Sequence, residues 1–429
     1  MRWTVSRSTL SGEADVPGDK SIAHRALILG ALAAGESTIR NLPAGGDVRS
    51  TMVCLRALGT EMEASHGVTR VQGGCLAAAS RALDAGNSGT TMRLLAGILA
   101  GQTFDSCIDG DGSLRRRPMG RIVKPLRLMG ADIQDNGGYP PLTMRAAGLQ
   151  AVSYRLPVAS AQVKSCLLLA GLFAVGTTSV VEPVPSRDHT ERMFAATGIE
   201  IEESTEALDR VVSVAGGQRP HAFSLEVPGD ISSAAFLFAA AALTGSSVTV
   251  RGIGVNETRT GFLGVLERMG CELQIRNRRL STGEPVADVQ VSGDIRQPLT
   301  VDASEVPRLI DELPLVALLA SAAEGETTVS GAGELRVKES DRIASVATEL
   351  ARMGVSVEER SDGFRVRGPQ GLRGAHCTAG GDHRMAMLLA VAGLAASGTT
   401  TVEGAEAADV SFPGFAATMS GLGGAIAED

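Results

Sequence analysis

Aromatic side chains are scarce in this chain, which has ten Phe, two Tyr and one Trp among 429 residues, or 3%. Surfaces that stack on nucleic-acid bases or on sugar rings use such side chains, so their scarcity argues against both. A formal net charge of -8 leaves no basic footprint for nucleic acid. No stretch reaches the ~18 apolar residues of a membrane-spanning helix, and the N-terminal MRWTVSRS lacks the apolar core of a signal peptide.

Several common catalytic patterns are also missing. The six cysteines form no C-x-x-C pair, and the six histidines show no metal-ligand spacing. There is no G-x-x-x-x-G-K-[ST] loop, no G-x-G-x-x-G turn, no H-E-x-x-H and no G-x-S-x-G elbow. We therefore expect a cytoplasmic enzyme with reduced cysteines that mostly pack, and with no metal.

A cassette recurs six times along the chain. Each copy has a polar cluster, an apolar run, a glycine and a strand-like Thr/Ser/Val segment, followed about two dozen residues after that glycine by a second glycine that ends a helix-like run. The period of about 70 residues fits a unit of two helices and several strands. Glycine after an amphipathic run is the expected left-handed helix stop. The first set is Gly35, Gly101, Gly176, Gly245, Gly325 and Gly398, and the second is Gly59, Gly130, Gly198, Gly270, Gly354 and Gly423.

The two helices of each cassette differ in polarity. The first, as in LLLAGLFA and AAFLFAAAAL, is apolar nearly all round and rich in Ala and Gly, which predicts burial. The second, as in STMVCLRAL and GFLGVLERM, keeps a polar face and should lie outside. The length of the chain favours two or three domains.

The polar clusters share one position in the cassette, 14 to 16 residues before the first glycine. Equivalent positions in repeats become equivalent positions in space, so the first-helix N-termini should open on one shared site. Helix N-termini present unpaired N–H groups and a positive dipole end, which suits anionic oxygens. The clusters contain Lys20, Asn87, Ser160, Asp230, Asp311 and Asp382, with Arg25, Arg93, Lys164 and Arg384 nearby.

Two further basic segments, LRRRPMGR and LRVKESDR, fall outside these positions. An acidic chain that concentrates Lys and Arg in a few segments creates a local positive potential, which attracts a small polyanion. We expect a substrate with several phosphate or carboxylate groups.

Each motif alone has a plain structural interpretation. PGDKS, NSGTT and GDHRMAM can be turns that cap helices, RRRPM a solvated basic turn, and RVKESDR an exposed face with local ion pairs. Asp311 and Glu312 before Pro314 can simply begin a helix. These interpretations do not explain why the polar clusters occupy the same position in every copy of the cassette.

The motifs GDKSIAHR, GNSGTTMRLL, RRRPM, SAQVKS, SRDHTER, IDELP, LRVKESDR and GDHRMAM run the full length of the chain. Together they closely resemble the 5-enolpyruvylshikimate-3-phosphate (EPSP) synthase family. The resemblance implies an α/β (α+β) fold, a two-domain inside-out barrel of six βαβαββ repeats, three per domain, with buried helices pointing their N-termini at the interdomain cleft. It also implies crossings near Pro17 and Pro228, giving domains 17–228 and 229–429 plus 1–16, so the first residues pair with the second half.

The implied reaction transfers the enolpyruvyl (carboxyvinyl) group of phosphoenolpyruvate (PEP) to the 5-hydroxyl of shikimate 3-phosphate and releases phosphate. It needs no cofactor and no metal. We expect these two small molecules as the only partners, with no nucleic acid and no membrane, and a monomer.

The resemblance carries over residue by residue. Asp311 looks like the group that takes the hydroxyl proton, Glu339 like the acid that protonates the methylene, and Lys20 like an anchor near both substrates. The implied shikimate 3-phosphate ligands are Lys20, Ser21, Arg25, Ser160, Ala161, Gln162, Ser186, Asp311 and Lys338. The implied PEP ligands are Lys20, Asn87, Gly89, Arg117, Gln162, Arg342 and Arg384, with Asn87 to Thr90 as the cradle loop.

Two positions depart from the family pattern. Ala161 stands where many relatives have a second serine, so we expect Lys164 to supply the lost phosphate contact. Val410 stands where many relatives have a lysine. The combination GDKS, SAQVK, NETR and RDHTE resembles the branch with glyphosate-tolerant enzymes, although Gly89 lacks the bulk that some tolerant members carry there.

Three other interpretations stay open at this point. The UDP-N-acetylglucosamine enolpyruvyl transferase shares the implied fold, but its usual loop cysteine has no counterpart in DGSLRRRPMG. RNA-cyclase relatives of the same unit would need an adenylation histidine and a more basic surface. A non-catalytic scaffold would have no reason to gather Asp311, Glu339 and several arginines.

Overall fold

The computed structural model describes the whole chain, Met1–Asp429. It contains twelve α-helices, none of which combines the length and the apolarity that a bilayer crossing requires. The helices are α1 (Lys20–Leu32), α2 (Gly46–Ala57), α3 (Gly89–Leu99), α4 (Gly120–Leu128), α5 (Ala161–Gly171), α6 (His189–Ala196), α7 (Ile231–Leu243), α8 (Gly261–Met269), α9 (Leu313–Ala320), α10 (Arg342–Arg352), α11 (His383–Ala395) and α12 (Phe415–Gly421).

Twenty-four strands make up six four-stranded sheets. They are β1 (Arg2–Ser6), β2 (Ser11–Ala14), β3 (Glu36–Arg40), β4 (Glu61–Ser65), β5 (Val68–Gln72), β6 (Leu83–Asp84), β7 (Ser106–Asp109), β8 (Asp132–Asn136), β9 (Tyr139–Arg145), β10 (Ser153–Arg155), β11 (Thr177–Glu182), β12 (Ile201–Glu206), β13 (Asp209–Ala215), β14 (Ser224–Glu226), β15 (Ser247–Gly254), β16 (Glu272–Ser281), β17 (Glu284–Ser292), β18 (Thr300–Val301), β19 (Gly325–Val329), β20 (Val357–Arg360), β21 (Gly363–Gly368), β22 (His376–Thr378), β23 (Thr399–Glu403) and β24 (Ala425–Glu428).

The chain divides into two units, each with its own hydrophobic core. Unit 1 consists of Met1–Pro17, Gly229–Arg279 and Pro285–Asp429, and unit 2 of Gly18–Pro228 and Leu280–Glu284. Each unit holds three of the sheets. The predicted α/β architecture of six βαβαββ repeats is confirmed.

Within a repeat, the first strand is parallel to the second, and the other neighbours are antiparallel, as in the order β10-β11-β13-β12. Two first strands exchange sheets: β2, which precedes α1, pairs with β15, whereas β14, which precedes α7, pairs with β3. β1 lies between β23 and β24 and completes the sixth sheet. The first residues of the chain are therefore part of unit 1.

The first helix of each repeat is the buried one. In α7 every residue from Ile231 to Ala242 is buried, and in α9 all eight residues are. The second helices bury one face only, since α2 buries four of its twelve residues. Both predictions from helix polarity are confirmed.

The two sets of glycines behave differently. All six of the second set lie within two residues of a helix end, with φ between 84° and 110°, so they are the predicted helix stops. The first set is expected to do the same, and Gly245 does so, two residues after the last residue of α7 with a φ of 62°. For the other five glycines the expectation is wrong. Gly101 has no positive φ, and α1 and α11 end on extended alanines before their glycines. Gly35, Gly176, Gly325 and Gly398 instead use positive φ to turn the chain into the next strand.

Four of the six cysteines are buried, as expected of packing residues, while Cys75 is exposed and Cys107 is half-buried. Burial raises the pKa of the thiols of Cys54 and Cys166 to about 12. These thiols therefore stay protonated near neutral pH.

The central helices α3 and α5 pack so closely that only glycine fits at one point. A Cβ added at Gly97 would lie 2.2 Å from the carbonyl oxygen of Cys166. We expect Gly97→Ala to lower the free energy of unfolding by at least about 2 kcal/mol, because the clash is with backbone that cannot rotate away. Urea unfolding of the purified variant measures this.

The matched control is Gly264→Ala in α8, where an added Cβ meets nothing within 4 Å. Alanine favours a helix over glycine by about 1 kcal/mol, so this variant should be neutral or more stable. Equal effects of the two substitutions would contradict the close contact of α3 with α5.

Candidate active site

The buried first helices of the repeats, called central helices below, are α1, α3 and α5 in unit 2 and α7, α9 and α11 in unit 1. Within each unit, their N-terminal ends meet through polar contacts. The side chains of Asp19, Ser88, Ser160, Asp230 and Asp382 each accept a hydrogen bond from a backbone N–H in the first turn of the helix they cap. These caps fix the helix starts at the sequence-predicted polar clusters. The charged side chains beside them form one cluster in each unit.

The unit 2 cluster comprises Asn87, Arg93, Arg117 and Gln162. Lys20 lies in the same unit, at the first residue of α1. Arg117 donates to the Oδ1 atom of Asn87 at 2.5 Å. Arg93 donates to Oε1 of Gln162 at 2.5 Å, and Gln162 donates to the hydroxyl of Thr90 at 3.0 Å. Arg117 thus contacts the predicted cradle loop directly at Asn87, whereas Arg93 is linked to it through Gln162 and Thr90.

Gly89 begins α3 between these two guanidinium groups. A Cβ there would lie 3.1 Å from Nη1 of Arg93 and 3.5 Å from Nη1 of Arg117. Any side chain at this position would crowd the space between the two cations.

Lys20 pairs with Asp47, whose Oδ2 lies 2.8 Å from the lysine Nζ. Sequence reasoning missed Asp47. An acidic residue in the first turn of α2 has the ordinary pattern of a helix-dipole partner, so its spacing carried no further signal.

Arg25 is predicted to bind shikimate 3-phosphate, and the structure places it inside unit 2, where it joins three elements. It donates to the hydroxyl of Thr190 and of Ser165, both at 2.7 Å, and to the carbonyl oxygen of Ser21 at 2.8 Å. Burial lowers the pKa of Arg25 to about 10, although Glu191 and Asp19 favour its charged form. A buried cation with neutral hydrogen-bond partners is well suited to meet an anion.

Lys164 does not serve as the expected substitute for the serine missing at Ala161. Its side chain is fully buried, with Nζ 2.8 Å from Glu182 and 2.6 Å from Glu191. Arg210 contacts the same two carboxylates. The expectation is therefore wrong: an ammonium group held between two buried carboxylates is occupied by the protein.

The same network holds Ser186, a predicted ligand of shikimate 3-phosphate. Its hydroxyl donates to Oε1 of Glu182 at 2.5 Å, and its backbone N–H donates to the same oxygen at 3.1 Å. Ser160 is half-buried at the cap of α5, next to Ala161. Glu182 thus fixes the position of Ser186 in the loop before α6.

The unit 1 cluster comprises Arg259, Asp311, Lys338, Glu339, Arg342 and Arg384. Its centre is the carboxylate of Asp311, just before α9. Oδ1 of Asp311 lies 3.5 Å from Nζ of Lys338 and 3.6 Å from Arg342. Oδ2 lies 3.9 Å from Arg384, which also donates to the backbone oxygen of Asp311 at 3.0 Å.

Arg342 links Glu339 to the cap of α11. It donates to Glu339 at 2.6 Å and to Oδ2 of Asp382 at 2.8 Å. Burial opposes the charged form of Arg342, but Asp382 and Glu339 outweigh it and raise its pKa. Burial likewise favours protonated Asp382, but Arg342 outweighs it and lowers the pKa of Asp382. Arg342 and Asp382 therefore stay ionised together.

Val410 ends the short helical turn Ala405–Val410 and is exposed. Valine has no polar atom, so it offers an anion no side-chain contact. The structure also brings together no three His, Cys, Asp or Glu side chains in an arrangement suited to a metal ion.

A buried chain of hydrogen bonds runs behind the unit 2 cluster. Nδ1 of His24 lies 2.7 Å from the hydroxyl of Thr51, which lies 2.7 Å from the hydroxyl of Thr91. Thr91 in turn donates to Oγ of Ser88 at 2.7 Å. This chain connects α1 and α2 to the cap of α3.

Helix N-termini with Lys and Arg side chains beside them suit small polyanions, and carboxylates among cations suit proton transfer, so the fold and the two clusters have the features of an enzyme that acts on small anionic substrates. The EPSP synthase (3-phosphoshikimate 1-carboxyvinyltransferase) family matches residues 5–419. The chain belongs to the EPSP synthase family.

Individual relatives agree with this membership. The 3-phosphoshikimate 1-carboxyvinyltransferase of Desulforudis audaxviator is 49% identical over 98% of this chain and 99% of that protein. The protein of the same name from Pelotomaculum thermopropionicum is 52% identical over 95% of each. The solved EPSP synthase from Acinetobacter baumannii has a TM-score of 0.87 and 41% identity, and both chains are covered in full.

His24 makes unit 2 sensitive to acid. Burial lowers the pKa of His24 to about 3, despite Asp47, from an ordinary value of 6.5. As the pH falls below 6.5, the imidazole of His24 is therefore protonated in the unfolded chain but stays neutral in the folded chain. The contribution of His24 to the free energy of unfolding is fully present above pH 6.5. About 2 kcal/mol of it should be lost between pH 7 and pH 5.

Urea unfolding of wild-type protein and of His24→Asn at the two pH values measures this contribution. The variant should lose about 2 kcal/mol less between pH 7 and pH 5, whatever its stability at pH 7. His376→Gln, at an exposed histidine, is the control and should behave like wild type. An equal loss in wild type and His24→Asn would contradict the assignment.

Proposed function

We propose that this chain transfers the enolpyruvyl group of PEP to the 5-hydroxyl of shikimate 3-phosphate and releases phosphate. The observation that carries the proposal is the carboxylate of Asp311 within 4 Å of Lys338, Arg342 and Arg384. A proton acceptor among cations suits a hydroxyl that must attack an anionic substrate. The names of the relatives support the same reaction.

Both substrates are polyanions, and the cluster in each unit supplies positive charge that offsets theirs. We assign PEP to Lys20, Asn87, Gly89, Arg117, Gln162, Arg342 and Arg384. We assign shikimate 3-phosphate to Lys20, Ser21, Arg25, Ser160, Ala161, Gln162, Ser186, Asp311 and Lys338. All of these residues come from one chain, so the proposal needs no partner subunit and treats the protein as a monomer.

The reaction proceeds by addition and elimination. Asp311 takes the proton of the 5-hydroxyl of shikimate 3-phosphate while the hydroxyl oxygen bonds to C2 of PEP. In the same step, Glu339 gives a proton to the methylene carbon C3. The tetrahedral intermediate then loses phosphate by cleavage of the C2–O bond. Loss of a proton from the new methyl group restores the double bond, so one proton enters and one leaves C3.

Glu339 must carry a proton to act as the acid. In this structure it accepts a hydrogen bond from Arg342, which favours its carboxylate form. An anionic group of PEP bound to Arg342 would compete for that guanidinium. We propose that PEP binding in this way prepares Glu339 to be protonated.

Two substitutions test the proton-transfer roles. Asp311→Asn cannot accept the hydroxyl proton and Glu339→Gln cannot supply one, so each should lower turnover about 10²–10⁴-fold. The assay is the release of phosphate from PEP that depends on shikimate 3-phosphate. Glu267→Gln, at an exposed carboxylate of α8, is the matched control and should keep wild-type turnover.

Turnover within about twofold of wild type in either variant would remove that residue from its role. Phosphate release with UDP-N-acetylglucosamine instead of shikimate 3-phosphate would assign the chain to the other enolpyruvyl transferase. Release with neither acceptor would overturn the proposed function.

We also propose that the enzyme is weakly sensitive to glyphosate. The support is the set of four branch motifs, whose charged residues hold buried contacts: Lys164 of SAQVK pairs with Glu191 of RDHTE, and Arg259 of NETR contacts Asp230 and Asp311. These motifs are therefore part of the framework behind the proposed ligands.

The ratio of the glyphosate inhibition constant to the KM for PEP tests this proposal. We expect a ratio of order one or greater in wild type and a higher ratio in Gly89→Ala, because a Cβ there lies 3.1 Å from Arg93. Gly46→Ala, where a Cβ meets nothing within 4 Å, is the control. A wild-type inhibition constant far below the KM would reject weak sensitivity.

A further inference from the structure

Arg259 is a buried cation that the assignments above leave without a role. It lies in the loop between β15 and α8 and is 3% exposed. Its Nη2 donates to Oγ of Ser232 at 2.8 Å and lies 3.4 Å from Oδ1 of Asp230. Its Nη1 lies 3.9 Å from Oδ2 of Asp311. Arg259 therefore contacts both the cap of α7 and the proposed proton acceptor.

The carboxylate of Asp311 faces four cations on different elements. Lys338 and Arg342 approach Oδ1, and Arg384 and Arg259 approach Oδ2, all within 4 Å. Acidic groups and one histidine stand behind these cations. They are Asp230 and Glu312 at the caps of α7 and α9, Glu339 and Asp382 beside Arg342, and His383 next to Asp382.

The four cations differ in what they do when substrates bind. In the proposed function, Arg342 and Arg384 bind PEP anions and Lys338 binds hydroxyls of shikimate 3-phosphate. Bound anions offset the field that Arg342 and Arg384 exert on Asp311. Arg259 has no substrate assigned to it and is anchored by Ser232 and Asp230, so its field on Asp311 should persist in the complex.

We propose that Arg259 is a positioning residue that keeps the carboxylate of Asp311 ionised and oriented for proton transfer while the substrates occupy the neighbouring cations. This inference rests on the proposed function, because it takes Asp311 as the proton acceptor. It adds a residue that acts through Asp311 and not through either substrate.

Ser232 is the anchor that makes this arrangement rigid. Its hydroxyl accepts from Arg259 and donates to Oε1 of Glu312. Glu312 lies 3.6 Å from Arg384. One hydroxyl thus ties Arg259 to the acidic partner of a proposed PEP ligand, which limits how far the guanidinium can move from Asp311.

The pH dependence of turnover tests the proposal. Loss of the cation in Arg259→Gln makes Asp311 hold its proton more readily, so the acid limb of the profile should move to higher pH. The acid limb of the kcat profile reports the pKa of the proton acceptor in the substrate complex. The acid limb of the kcat/KM profile reports its pKa in the free enzyme. We expect a rise of about one pH unit in kcat and a smaller rise in kcat/KM, where three other cations still face Asp311.

Two further variants separate charge from position. Arg259→Lys keeps the charge, so its acid limb should lie close to wild type even if kcat falls several-fold. Ser232→Ala keeps Arg259 but removes its anchor, so kcat should fall with a smaller shift of the limb. Arg251→Gln, at an exposed arginine paired with Asp15 in unit 1, is the control and should leave both profiles unchanged.

The outcomes are distinguishable. An active wild type and a folded Arg259→Gln with an unmoved acid limb in kcat would overturn this inference alone. A wild type that releases no phosphate in response to shikimate 3-phosphate would overturn the proposed function and the inference with it. If Arg259→Gln does not fold, Ser232→Ala decides: a lower kcat with a raised acid limb supports the proposal, and an acid limb at the wild-type pH overturns it, whatever the kcat.

Discussion

The arrangement on which everything else depends is the meeting of three helix N-termini in each unit. Each end carries partial positive charge and unpaired N–H groups, so three together repel one another and favour negative charge. In unit 2, α3 and α5 can approach this closely because a glycine lies at their contact: a Cβ at Gly97 would meet the backbone of Cys166. Gly171 likewise lets α5 approach its own sheet, since a Cβ there would meet Thr178 of β11 and Val214 of β13. Apolar packing holds the ends together, and polar caps and substrate anions offset their charge.

The two units offset this charge in different ways. In unit 1 all three central helices begin at carboxylates, Asp230, Glu312 and Asp382, and each has an arginine within 4 Å. In unit 2 two of the three caps are the neutral Ser88 and Ser160. More of the positive potential in unit 2 is thus left for an external anion, whereas unit 1 is rich in ionisable carboxylates. The proposed proton-transfer residues, Asp311 and Glu339, both lie in unit 1.

The sequence predicted what is local and periodic. The six repeats, the buried first helices and the second set of glycines follow from spacing and apolar pattern, because each depends on the conformation of a short segment. It failed where a partner lies far along the chain. Lys164 was misassigned because its partners Glu182 and Glu191 follow in a later strand and helix, and no spacing marks a buried ion pair. Asp47 was missed, and Arg259 was noted within the NETR motif without a role, because an acid in a first turn and an arginine in a polar loop have ordinary surface interpretations.

These long-range pairs are costly, and their positions suggest why they are present. A buried ion pair is often no more stabilising than apolar side chains of the same volume. The Lys164, Glu182, Glu191 and Arg210 network nevertheless lies directly behind Ser186, as the Arg259 and Ser232 pair lies behind Asp311. Apolar replacements could fill the space but could not hold a hydroxyl or a carboxylate at a fixed angle. Ser186 and Asp311 are each held by polar or charged partners, so these networks lie where orientation matters for the reaction and where apolar packing would not provide it.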